Sequence, residues 1–273
     1  MSKKKFSFLK ANIFILFLLL FGCSQIQDRK ETETIPVEQL YNKGMNLIEK
    51  GNYASAVLVF EELDRLHPYS NWTTRAQIMT VFCYYQSKLY EEAVLAAERF
   101  IQLHPASSDV PYAYYLIGLS YYQQITDVSR DQGATQLALE SFEQLIQRYP
   151  SSDYAVDAKL KTDLVIAQLA GKEIEIGRYY LKKQKYLAAL NRFNLVTQEY
   201  QTTHYVPEAL HRLTETYIAL GLLDQAQETA AVLGYNFPDS KWYEASYSML
   251  KGKKILKKEK NGNILTQFIK KIF

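Results

Sequence analysis

The segment Ala56-Val57-Leu58-Val59-Phe60-Glu61-Glu62-Leu63-Asp64-Arg65-Leu66-His67-Pro68 decides the fold. Ala56 and Phe60 stand four residues apart, so a helix places them on one face, one turn above the other. The small alanine lets a second helix approach closely, and the phenylalanine fills the groove beside it. Pro68 ends the helix because it has no backbone N–H to donate. Outward from this segment the same spacing returns as Ala93, Ala97 and Pro105, as Ala138, Phe142 and Pro150, and as Ala226, Ala230 and Pro238. Ala189 and Phe193 form a further copy, with Gln201 at the proline position. Small residues (Gly44, Gly177 and Thr214) stand twelve positions before three of these alanines.

Each copy reads as an antiparallel helix pair. Lys50-Gly51-Asn52-Tyr53 and Leu220-Gly221-Leu222-Leu223-Asp224 supply turns inside pairs, and Pro150-Ser151-Ser152-Asp153 supplies N-cap oxygens for the next helix. The pattern resembles the tetratricopeptide repeat (TPR), in which one pair alone cannot bury its apolar face and stacking buries a continuous core. The expected fold is all-α: a right-handed superhelical TPR solenoid of about five helix-turn-helix repeats with a long central helix. The alanine-to-alanine periods are 37, 45, 51 and 37. The period of 45 points to an insertion around residues 124–133. The period of 51 reflects a helical stretch from Ser152 to Lys185, interrupted only by Gly171 and expected as one helix or two end to end. A capping segment is expected from Asp239 to Lys258, with Trp242, Tyr243, Tyr247 and Leu250 facing inward.

The chain starts Met1-Ser2-Lys3-Lys4-Lys5, and the stretch from Ala11 to Gly22 is uncharged and too short to span a bilayer. It ends Leu20-Phe21-Gly22-Cys23-Ser24, which resembles the lipobox of bacterial lipoproteins, where the cysteine is acylated and becomes the mature N-terminus. Several acyl chains give stable anchoring where one does not. Ser24, rather than Asp, after the cysteine implies sorting to the outer membrane. The expected organisation is a signal peptide (1–22), a polar tether (23–36), the solenoid (37–250, with halves 37–151 and 152–250) and a basic tail (251–273). The formal net charge of +3 is uneven: loss of the four lysines before Cys23 leaves −1, and the tail's eight lysines and one glutamate leave −8 on residues 23–250. An acidic body argues against nucleic acid as a partner. In the tail, Leu265, Phe268, Ile269 and Ile272 are spaced for one face of a basic amphipathic helix, suited to an anionic membrane or an acidic partner, or else the tail is simply solvated.

The sequence offers no catalytic pattern: no glycine-rich phosphate loop, no nucleophile elbow, no paired zinc histidines. His67, His104, His204 and His211 show no third ligand at metal spacing, and no metal, cofactor or enzymatic activity is expected. Cys83, in Val81-Phe82-Cys83-Tyr84, reads as a small buried hydrophobe. The tyrosines are more telling. Tyr84-Tyr85, Tyr112, Tyr114-Tyr115, Tyr121-Tyr122 and Tyr179-Tyr180 fall on first helices, the ones that line the groove of a TPR array. Half of them must be core. The rest suit a groove for an extended peptide, since tyrosine offers a broad ring and a polar tip, and Tyr84, Tyr114 and Tyr121 are the candidates.

Taken with Ala97-Glu98-Arg99-Phe100-Ile101-Gln102-Leu103-His104-Pro105, Arg130-Asp131, Tyr149-Pro150-Ser151-Ser152, Asp157-Ala158 and Arg178-Tyr179-Tyr180, the opening segment resembles the BamD family of outer-membrane assembly lipoproteins over most of the chain to about Ala231. The resemblance implies a lipid-anchored scaffold on the periplasmic face of the outer membrane. Its implied partners are the POTRA-containing barrel protein at the centre of the assembly machinery, unfolded β-barrel substrates, and outer-membrane lipid through the Cys23 acyl chains. Arg192, in Leu190-Asn191-Arg192-Phe193, takes the position that contacts the POTRA domain in that family. The alternative is another TPR lipoprotein, such as a pilus-secretin pilotin or a cell-envelope coordinator.

Overall fold

A computed structural model describes residues 35–125 and 132–252. Cys23, most of its tether, Arg130-Asp131 and the amphipathic part of the tail lie outside the described residues. Among the described residues there are eleven α-helices: α1 (Val37–Glu49), α2 (Tyr53–Leu66), α3 (Asn71–Gln86), α4 (Tyr90–Leu103), α5 (Val110–Gln123), α6 (Gly133–Arg148), α7 (Asp153–Lys182), α8 (Tyr186–Glu199), α9 (Val206–Leu220), α10 (Leu223–Asn236) and α11 (Lys241–Gly252). They stack as five antiparallel pairs, α1/α2 to α9/α10, with α11 closing the end. This is the TPR solenoid expected from the spacing.

The repeated alanines and aromatics are the contact points. Ala56, Ala93, Ala138, Ala189 and Ala226 are all 0% exposed, and Phe60, Phe142 and Phe193 are 0–1% exposed. Each of these three rings lies against a glycine of the partner helix. A Cβ at Gly44 would sit 2.3 Å from the Phe60 ring, one at Gly118 2.5 Å from Phe142, and one at Gly177 2.3 Å from Phe193. Glycine is required there by space: the helix backbone itself is the wall of the aromatic pocket.

Two turn geometries repeat. Inside a pair, one left-handed residue reverses the chain: Gly51 (φ 70°), Lys88 (φ 61°), Gln184 (φ 57°) and Gly221 (φ 76°). Between pairs, the last residue before the proline position leaves the helix with φ and ψ of −132° and 53° at His67, −129° and 54° at His104, −134° and 56° at Tyr149, and −137° and 58° at Phe237. A following proline disfavours helical geometry at the residue before it. Tyr200 precedes Gln201 and still adopts −121° and 40°. Its carbonyl accepts from Thr203 Oγ1 at 2.8 Å, which holds the turn without the proline.

The long central stretch is one unbroken helix through Gly171. Gly171 faces Tyr205, the residue just before α9, whose hydroxyl would lie 2.9 Å from a Cβ there. The N-terminal part of α7 packs Ala155, Ala158 and Val165 into the core of α3–α6, and its C-terminal part packs Ala170 and Ile174 into the core of α8 and α9. The two halves therefore share α7 rather than meeting at a joint. In the cap, Leu250 is 2% exposed as expected, whereas Tyr247 is 44% exposed. Ser246 holds the inward position instead, because it meets the buried His211.

Candidate functional site

First helices (α1, α3, α5, α7, α9, α11) touch their neighbours along the stack, whereas second helices (α2, α4, α6, α8, α10) are not in contact with one another among the described residues. A double layer that is tight on one side and splayed on the other curves toward the tight side, so the first helices form the inner face. Open furrows remain between second helices on the outer face.

Consecutive helical residues point about 100° apart, so the members of the Tyr84-Tyr85, Tyr114-Tyr115 and Tyr121-Tyr122 doublets part company. The first members turn to the outer furrows. Tyr84 lines a furrow of about 330 Å³ between α2 and α4, and its hydroxyl donates to Glu61 Oε1 at 3.3 Å. Burial first, then the Glu61 and Glu92 charges, push its pKa up. Tyr114 is 9% exposed; its hydroxyl accepts from Arg148 Nη1 at 3.0 Å, with the guanidinium 5.5 Å from the ring. Tyr121 shares with Tyr114 a furrow of about 470 Å³ between α4 and α6. The structure thus places all three sequence candidates on first helices, but directed to the outer face.

The second members meet across the inner face. Tyr85 of α3 accepts a hydrogen bond from Gln123 of α5 at 3.4 Å. The Tyr154 ring of α7 lies 5.0 Å from Tyr112 and 5.4 Å from Tyr115, both of α5. Tyr115 donates its hydroxyl proton to Asp157, which also pairs with Lys161 at 3.4 Å. Lys161 in turn stands 5.5 Å from the Tyr122 ring. The result is a band of half-buried rings tied by a hydroxyl–carboxylate–ammonium chain. Burial, followed by its tyrosine neighbours, pushes Tyr112 up to about 12, and burial with the Asp157 hydrogen bond raises Tyr115 further. These hydroxyls stay neutral, and that of Tyr115 gives its one proton to Asp157 while its oxygen can still accept. Sequence reasoning found the doublets but not the member that faces inward. A 100° offset decides it, and that phase follows only once Ala93, Ala113, Ala138 and Ala158 are fixed as the buried side.

The inner face of the C-terminal half is ionic. Glu208 of α9 is 5% exposed and accepts from Arg178 Nε at 2.7 Å and Nη2 at 2.5 Å, with Arg212 Nε at 3.5 Å. Arg212 Nη1 pairs with Glu215 at 2.7 Å. Arg192 of α8, expected at a partner contact, is 40% exposed and pairs with Glu173 of α7 at 2.9 Å. No sequence pattern pointed to this ion pair, because its members sit 19 residues apart on different helices. The histidines are engaged in structure. His67 donates to the Ile35 carbonyl, His104 bonds Gln77 at 2.7 Å, His204 stacks on Tyr205 at 4.1 Å and His211 bonds Ser246 at 2.8 Å. Among the described residues no group of three His, Cys, Asp or Glu side chains converges as metal ligands. Cys83 is buried, and burial pushes its thiol up to about 12. Among the described residues no helix is long and apolar enough to cross a membrane.

A thermophilic TPR protein of Thermus thermophilus overlays this chain with a TM-score of 0.38 at 20% identity, over 79% of this chain and 99% of that one. The outer membrane protein assembly factor BamD of Rickettsia prowazekii (strain Madrid E) is 44% identical over 247 residues, 90% of this chain and 98% of that protein. BamD of Caulobacter vibrioides is also 44% identical, over 218 residues, 80% of this chain and 72% of that protein. The family model YfiO, described as outer membrane lipoprotein, matches residues 33–233. The chain belongs to this family of outer-membrane lipoproteins.

Proposed function

We propose that this chain is an assembly factor for outer-membrane β-barrel proteins, a scaffold without catalysis, held on the periplasmic face of the outer membrane by acyl chains on Cys23. Its inner face takes an extended strand of an unfolded barrel, and its C-terminal repeats, through Arg192, take a POTRA domain of the machinery's central barrel protein. The observation that carries this reading is the tyrosine band of α3, α5 and α7, seen in a chain 44% identical to named assembly factors. A strand presents its side chains alternately, so every second residue faces the same way at about 7 Å spacing. Rings set in a row along one face can meet such residues, and their hydroxyls can meet the exposed strand backbone. Tyr85, Tyr115 and Tyr122 make this contact, while Tyr84 and Tyr121, opening on the outer furrows, are placed for a second protein.

Photo-crosslinking tests the assignment. A benzophenone amino acid at Tyr122 is expected to capture a peptide from the last strand of a barrel protein, and one at Tyr84 is not. Capture at Tyr84 alone would move the substrate to the outer face. Mass spectrometry of the mature N-terminus checks Cys23 acylation. Recovery of a secretin, and no POTRA-containing barrel, with the anchored protein would favour a pilotin-type role instead.

A further inference from the structure

The end of the tether is fixed to one edge of the stack. His67 Nε2 donates to the Ile35 carbonyl at 2.9 Å, so the chain leading back to Cys23 leaves from the turn between α2 and α3. That turn carries Tyr69, which is 100% exposed. The equivalent turn of the next pair lies beside it, joined through a shallow recess bounded by Asn71, Thr74 and Arg75 on one side and Leu103 to Asp109 on the other. Together the two turns show water an apolar rim: Ile35 is 41% and Leu103 53% exposed, and Pro68, Pro105 and Ala106 reach the surface too. Arg65 and Arg75 flank the rim as cations, with Glu62 4.0 Å from Arg65 and Asp109 in the recess as the acidic groups beside them. A phenol ring with a polar tip, a few apolar side chains and nearby guanidinium groups are the chemistry that settles at a phospholipid headgroup layer.

We propose that this edge rests on the phospholipid surface that holds the anchor, with Tyr69 set among the headgroups. This rests on the reading of Cys23 as acylated. Ile35 stands twelve positions after Cys23, a reach of at most about 40 Å, and tethering turns a weak surface contact into an effectively intramolecular one. The contact fixes the orientation of the solenoid: the turns that close its first two pairs lie at the membrane and the helices they join stand end-on to the bilayer, which leaves the inner face open from the side. The opposite edge, with Lys50, Lys88, Lys183 and Lys185, is the competing orientation; the tether does not leave from it.

The test uses the full lipidated protein carrying Tyr69→Cys or, on the opposite edge of the same pair, Lys50→Cys. Both positions are exposed, and Cys83 is buried, so each new thiol takes an environment-sensitive fluorophore cleanly. The proteins are bound to phosphatidylethanolamine–phosphatidylglycerol vesicles containing a spin-labelled lipid that quenches at headgroup depth. The expected result is quenching several-fold stronger at position 69 than at position 50. Vesicle binding with equal quenching, or stronger quenching at 50, overturns the orientation and leaves the anchor intact. Protein that does not float with the vesicles overturns the anchor reading, and the orientation with it.

Discussion

The two halves of the inner face use different chemistry on the same scaffold. From α3 to the start of α7 it is rings and hydroxyls, half-buried and held by one carboxylate and one ammonium. From the end of α7 to α9 it is guanidinium groups closed on carboxylates, with Glu208 buried between Arg178 and Arg212. Rings accept many partners, because van der Waals contact depends little on sequence. Charge pairs with fixed planes accept few, because guanidinium geometry is directional. On the proposed function, the first half suits varied substrate strands, and the second suits one fixed neighbour.

The halves share their skeleton, and the largest effects should be equal in both. Gly118→Val and Gly177→Val each drive a side chain into a phenylalanine ring that has no space to leave. Each is expected to cost about 3 kcal/mol in chemical denaturation. A cost in only one half would mean that the glycine–aromatic contact is not the common unit. The next effect should appear in the C-terminal half alone. Glu208→Ala leaves Arg178 and Arg212 facing each other without their shared carboxylate. Loss of one member of a buried pair costs roughly 3–5 kcal/mol in general. Here Arg178 is 44% exposed and regains water, so about 2 kcal/mol is expected, read from the urea midpoint.

Acid should also act on the C-terminal half first. Burial, and then Arg212, lower the pKa of His211, while Glu215 and Glu208 pull the other way. The ring is neutral in the folded chain, with Ser246 as partner and Trp242 stacked at 5.1 Å. A folded pKa below the unfolded one means that the unfolded chain binds the proton more readily. Stability is therefore fullest above the ordinary imidazole range and falls as the pH drops through it. Between about pH 7.5 and about pH 5 the denaturation midpoint should fall less in His211→Gln than in the native chain. Identical slopes would remove His211 from the account of the cap.

The common skeleton was legible and the difference between the halves was not. Ala56, Phe60 and Pro68 and their copies revealed the pairs, because helix contacts repeat at fixed local spacing. Gly51 and Gly221 announced two turns. Lys88 and Gln184 make the same left-handed turn without a glycine, at a backbone cost that the flanking helices overcome, and so left no signal. Gln201 breaks the proline pattern, yet Thr203 supplies the hold that proline would have given. The ion pairs Arg192–Glu173 and Arg178–Glu208 join residues distant in sequence, the first brought together by packing within a pair and the second by the stacking of pairs. The tyrosine doublets lie between these cases: their place on first helices was local information, but their direction was set by which face the neighbouring alanines bury.

The smallest effect is the sharpest test of that direction. Tyr114→Phe removes an acceptor for Arg148, and Tyr115→Phe removes a donor to Asp157. Each loses one hydrogen bond to a charged group that keeps solvent or another partner, so each should cost about 1 kcal/mol of stability or less. Stability cannot tell the two apart. Binding can: Tyr115 belongs to the inner band and Tyr114 to the outer furrow. With a barrel-strand peptide, Tyr115→Phe should weaken binding by a few-fold, through the lost hydroxyl and a displaced Asp157–Lys161 pair, while Tyr114→Phe leaves it unchanged. Equal losses would mean that the peptide is felt through the helix as a whole and not by the face it touches. A loss with Tyr114→Phe alone would reverse the assignment of inner and outer roles.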